Sequence, residues 1–153
     1  MQTKKEEPGR LESIWVKPAR RVPMRPAQSA RLIEGRGIEG NVDRGGKRQV
    51  TVLDQSAWGA AAAEAGAEGL GPEARRANLV VSGVDLEGSA GNVLRVGNVR
   101  LEVHGETRPC ERMDEAAAGM RQALDPAWRG GVYATVGQSG EIAVGAPVEL
   151  VGQ

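Results

Sequence analysis

A chain of 153 residues is the size of one ordinary domain and buries a continuous core without disulfides or a structural metal. Its 20 Lys and Arg offset 20 Asp and Glu, so no global field holds nucleic acid or an anionic membrane surface, and any anion site must be local. One Cys and one His supply neither an intrachain disulfide nor the ligands of a usual zinc site, and a chain with one Tyr and no Phe has few stacking platforms for single-stranded nucleic acid.

In chain order, residues 1–10 are polar and aperiodic and read as a frayed tail, which leaves residues 11–153 as a single domain. The tail leads into nothing resembling a signal peptide, and no run approaches the ~20 apolar residues of a membrane span, so a cytoplasmic protein is expected. Residues 11–16 are the first strand, followed by a Pro- and Arg-rich loop over residues 19–26. Residues 35–41 alternate glycine with larger side chains, which suits turns rather than a helix. Residues 48–53 cluster β-branched side chains without helical spacing and read as a strand. Asp54 or Ser56 can cap the helix that the Ala-rich residues 57–68 predict, and Gly69 with Gly71-Pro72 ends it. Residues 78–82 form a short apolar run, a buried strand by its length.

The hairpin signal is Gly97-Asn98 between residues 92–96 and 99–103, with Val99, Leu101 and Val103 on one face. Residues 114–124 predict a second helix, capped by Asp114 and ended by Asp125-Pro126. Strands over residues 131–136, 141–144 and 147–151 complete the chain. Short strands separated by glycine turns, with two short helices inserted, predict a mainly β fold, a barrel rather than a series of βαβ units.

The candidate for chemistry is Cys110, in His104-Gly105-Glu106-Thr107-Arg108-Pro109-Cys110-Glu111-Arg112, after a strand and before a helix. Arg108 and Arg112 favour the thiolate, the form that ligates metals and attacks electrophiles. A lone cysteine is often a small buried hydrophobe, but a polar, Arg-flanked, Pro-fixed loop is a poor place for one. Strand alternation turns His104 outward with Arg100 and Glu102, which makes a Cys-His pair with Cys110 the lesser reading. The glycines of residues 35–46, with Arg44, Lys47 and Arg48, can cradle a phosphate through backbone amides. Their spacing matches neither the Rossmann nor the P-loop pattern, so turn formation is the default explanation. Arg75 and Arg76 are either a solvated charge pair or donors to an anion.

Gly37-Ile38-Glu39-Gly40-Asn41, followed by the strand Arg48-Gln49-Val50-Thr51-Val52-Leu53, resembles the early Gly-Ile-x-Gly-Asp signature of the molybdenum cofactor sulfurase C-terminal (MOSC) domain family. Arg76-Ala77-Asn78-Leu79-Val80-Val81-Ser82-Gly83-Val84-Asp85-Leu86 is similar to that family's Arg-x-Asn strand and the turn after it. Arg108-Pro109-Cys110 is similar to the loop bearing its hallmark cysteine, and Gly131-Val132-Tyr133 with residues 140–148 to its closing strands. The matches keep their order from about Ile14 to Val151 and resemble a stand-alone bacterial-type member. The chain departs from the family at Asn41-Val42-Asp43, where an acidic residue and a histidine often stand.

The resemblance implies a MOSC-type β-barrel and a molybdenum pterin cofactor. By that carry-over Cys110 is the metal ligand and catalytic residue, Arg76 and Asn78 contact the cofactor, and Arg48 and Arg108 are further cofactor-binding candidates. The activity implied is an oxidoreductase acting on small N-hydroxylated substrates. The chain lacks the N-terminal portion of amidoxime-reducing relatives and any ferredoxin-like domain, so a separate electron-donor protein is expected. One alternative is a sulfur carrier, in which Cys110 takes a persulfide from a sulfur-donor protein and passes it to metal-sulfur cluster or cofactor assembly. Another is a cofactor-storage module without turnover. Neither nucleic acid nor membrane is expected as a partner.

Overall fold

The computed structural model describes residues 8–42 and 46–152. In chain order the strands are β1 (Gly9–Val16), β2 (Arg25–Ala27), β3 (Ser29–Ile33), β4 (Gly37–Ile38), β5 (Val50–Asp54), β6 (Leu79–Ser82), β7 (Val93–Val96), β8 (Val99–Glu106), β9 (Val132–Gln138), β10 (Gly140–Ala143) and β11 (Pro147–Val151). The helices are α1 (Gln55–Glu64), α2 (Glu111–Ala116) and α3 (Met120–Leu124), with single 3-10 turns at Pro72–Arg75 and Pro126–Trp128. Seven strands close into a barrel in the order β11-β7-β8-β9-β5-β6-β1, sealed by β1 pairing with β11. Closure removes the two long edges that an open sheet would expose. β2 hangs from β1, and β10, β3 and β4 form a small second sheet.

Alternation in β8 decides which way its side chains face: Val99, Leu101 and Val103 are buried, while Arg100 and Glu102 are exposed. Its partner β7 is joined through Gly97-Asn98, where Gly97 takes φ 57°, as the hairpin signal predicts. The barrel interior is filled by small aliphatic side chains such as Leu11, Val52, Leu79, Leu101 and Val132. A second cluster lies outside the barrel wall, where Leu53 and Val80 meet Trp58 of α1, Met113 of α2 and Met120 and Leu124 of α3. β5 and β6 are therefore covered on both faces, which explains their unbroken apolar runs. They pair in parallel, with α1 in the connection, so one βαβ unit sits within the otherwise antiparallel barrel, contrary to the expectation of none.

Three further differences have local causes. β1 begins at Gly9 rather than residue 11, because Gly9 and Arg10 pair with Val148 and Pro147; residues 1–7 of the expected tail lie outside the described residues. α1 stops at Glu64, before Gly66 at φ 69°, although Asp54 caps it through Ser56 N as expected. The second predicted helix is two, since Gly119 at φ 88° breaks the run; Asp114 accepts from Arg121 N and so serves the start of α3 instead. No helix among the described residues is long and apolar enough to cross a membrane.

Candidate functional site

β8 delivers the chain to residues 107–110, which lead into α2 with Cys110 at its N-cap position. Thr107 is buried, and three of its polar groups are tied down. Its N–H donates to Gly131 O at 2.8 Å, its Oγ1 donates to Gly130 O at 2.7 Å, and its carbonyl accepts from Arg75 Nη2 at 2.8 Å. Arg75 Nε donates to the same Gly130 carbonyl at 2.9 Å. One guanidinium thus joins the cysteine loop to the segment entering β9. The glycines there are required by contact. A Cβ on Gly130 would collide with Thr107 O, and a Cβ on Gly131, at φ 98°, would collide with Val52 O. Pro109 is buried, whereas Cys110 at the end of this braced loop is exposed.

Arg108 and Arg112 are both exposed; Arg108 makes only a long contact of 3.9 Å to Glu106, with 84% of its side chain in solvent, which contributes little. Arg75, three residues before Asn78, is the partly buried cation bonded to the loop that carries Cys110. Burial pushes its guanidinium below the usual arginine range, nearby Arg48 pushes the same way, and Cys110 opposes both. Arg48 and Cys110 thus each act on the charge of Arg75. Among the described residues no carboxylate lies within 4 Å of Arg75, and its hydrogen-bond partners are the carbonyls of Gly130 and Thr107.

Arg76 points elsewhere. Held in a left-handed conformation at φ 65°, it lines a cleft of about 320 Å³ with Trp15, Lys17, Arg21, Met24 and Glu73. Arg21, at φ 63°, is left-handed too. Three cations and one carboxylate, with Trp15 and Met24 in the same lining, suit an anionic group attached to an apolar or aromatic body. Arg21 was hidden from sequence reasoning within a Pro/Arg loop that showed no motif, and Lys17 stands just before that loop. The glycine segment borders a second cleft of about 290 Å³, lined by Arg36, residues 37–42 and Gln49. Arg44 and Asp43 lie outside the described residues.

Asn78 is held inside the fold. It is only 6% exposed, and its carboxamide is fully used. Nδ2 donates to Trp15 O and Asn41 Oδ1, and Oδ1 accepts from Thr51 N and Thr51 Oγ1. With both N–H groups and both lone pairs engaged, the side chain, at the entry to β6, ties that strand to β1 and β5. His104 stacks on Tyr133 at 6.4 Å and pairs with Thr135 Oγ1 at 2.9 Å on the outer face of β8, as alternation predicts.

These features define a class: a small closed barrel that presents one exposed thiol on a braced loop beside local cations. The MOSC domain model matches residues 39–149, and the chain belongs to the MOSC domain family, which is associated with molybdenum cofactor binding. The fold is similar to that of the YuaD protein from Bacillus subtilis, with a TM-score of 0.78, 17% identity, and coverage of 95% of this chain and 96% of that one. It is also similar to YiiM from Escherichia coli, at TM-score 0.70 and 21% identity over 94% and 70% of the two chains. YiiM from Geobacillus stearothermophilus gives 0.73 and 18% over 94% and 75%. At these identities the likeness shows the fold. No curated protein matches the chain.

Proposed function

We propose that this protein binds a molybdenum pterin cofactor through Cys110 and reduces small N-hydroxylated compounds in the cytoplasm, with electrons from a separate donor protein. The observation that carries the reading is the exposed Cys110 thiol at the end of a loop fixed at Thr107, whose carbonyl is held by the Arg75 guanidinium. The donor set fits such a group. Among the described residues no three His, Cys, Asp or Glu side chains converge, so a metal held by Cys110 brings its other donors with it, as a metal carried by an organic cofactor does. When bound, the cofactor supplies the redox chemistry. The chain supplies one soft sulfur ligand and cations for a phosphate, with Arg76, Lys17 and Arg21 around the cleft and Arg48 beside Arg75.

Protein from a host competent in cofactor synthesis should contain molybdenum and pterin, and should reduce an N-hydroxylated base with a chemical or protein donor. Arg76→Ala should lower cofactor retention while leaving the melting temperature nearly unchanged, because Arg76 makes no ion pair among the described residues. Equal loss of both would make Arg76 structural. The exposure of Cys110 also suits a sulfur carrier, since a persulfide must reach its acceptor. Metal-free protein that accumulates a Cys110 persulfide, with no molybdenum under any loading condition, would favour that reading.

A further inference from the structure

We infer that Arg75 is the positioning residue of this site: by bridging the carbonyls of Thr107 and Gly130 it fixes the backbone that presents the Cys110 sulfur. The inference rests on the proposed function for what the sulfur does, but the bridge itself stands on geometry. Nε and Nη2 donate to two carbonyls from two different chain segments, at 2.9 and 2.8 Å, a two-point contact that the planar guanidinium fork makes and an ammonium cannot reproduce. Thr107 Oγ1 closes the same junction on Gly130 O, and Thr107 N on Gly131 O. A Cβ on Gly130 would run into Thr107 O, Arg75 Nη2 and the Pro109 ring, so the joint has no slack for a side chain.

The segment on the far side of the bridge is strained. Ala127 and Trp128 adopt φ 57° and 56°, conformations unfavourable for residues with a Cβ, and Gly131 N donates to Trp128 O directly after them. Something must hold this segment against relaxation, and Arg75 contacts it at Gly130. Arg129, its neighbour, is fastened separately to Glu64 at 2.9 Å and to Ala123 O. The depressed guanidinium of Arg75 agrees with a cation withdrawn from water with carbonyls as its partners. A surface arginine serving solubility would be neither buried nor bridged.

The single cysteine allows a test that does not depend on metal. A nitroxide label on Cys110 of metal-free protein should give a restrained spectrum in the parent and a mobile one in Arg75→Gln and Arg75→Lys, with the barrel still folded by circular dichroism. Molybdenum retention at limiting cofactor should fall about tenfold or more in both variants, the factor expected for losing one charge-assisted hydrogen bond. A label equally restrained in all three proteins overturns the inference, as does full retention in Arg75→Lys, which would make charge alone sufficient. Should Arg75→Gln fail to fold, the isosteric Thr107→Val, which removes one bond of the same junction, must also free the label, and a restrained label there counts against the bridge. If instead Cys110→Ser keeps its metal, the proposed function fails, while the label mobility still decides the role of Arg75.

Discussion

Asn78→Ala would leave the Thr51 N–H and the Trp15 carbonyl without partners inside the barrel wall, at roughly 1–3 kcal/mol for each orphaned group. A clear fall in melting temperature is expected, and unchanged thermal unfolding would show that the junction is dispensable. Gly131→Ala should be at least as damaging, because the backbone is left-handed and a Cβ meets the Val52 carbonyl, and its chemical denaturation midpoint should drop. At this scale the sequence was partly readable. Cys110 stood out because a single thiol in a polar loop has few structural uses. The structural partners of Asn78 were not readable, because a motif position says nothing about which groups a carboxamide already meets. Arg75 was visible only as half of a charged pair, since its partners are carbonyls at positions 107 and 130, and main-chain acceptors carry no sequence signal.

Among the elements, α1 makes a pH-dependent contribution through its N-cap. Burial raises the pKa of Asp54, a backbone hydrogen bond from Ser56 works in the opposite direction, and Asp85 adds a smaller rise. A carboxyl with a raised folded-state pKa contributes stability that is present below its ordinary value of 3.8 and lost as pH rises through the raised value. Asn at this position keeps an acceptor for Ser56 N and carries no charge. Asp54→Asn should therefore melt higher than the parent at pH 7, with the difference shrinking toward zero below pH 3.8; a difference that grows on acidification would refute this. Asp54→Ala loses the cap and should cost about 1 kcal/mol. The strong elements of the barrel were legible because alternation or apolar runs marked them, β8 and β6 above all. β2 and β4, at three and two residues, are too short to show a period, and their pairing depends on partners distant in sequence. The split between α2 and α3 turns on Gly119, whose left-handed conformation outweighs the helix propensity of its neighbours.

For the molecule as a whole, a neutral chain concentrates its cations where the fold needs them. Lys17, Arg21 and Arg76 meet at one cleft, although they come from the end of β1, a loop and the approach to β6, and Arg75 is tied to the loop that carries Cys110. Net charge hides such local fields, and only closure of the barrel brings them together. Bracing the thiol with main-chain bonds leaves its side chain free of structural duty, so replacing sulfur by oxygen should spare the fold and abolish what sulfur does. The central claim is tested most directly by the molybdenum-to-protein ratio of Cys110→Ser and the parent, purified side by side from cofactor-competent cells. The account predicts equal melting temperatures, molybdenum in the parent, and almost none in the variant. Undiminished molybdenum in the variant would contradict it.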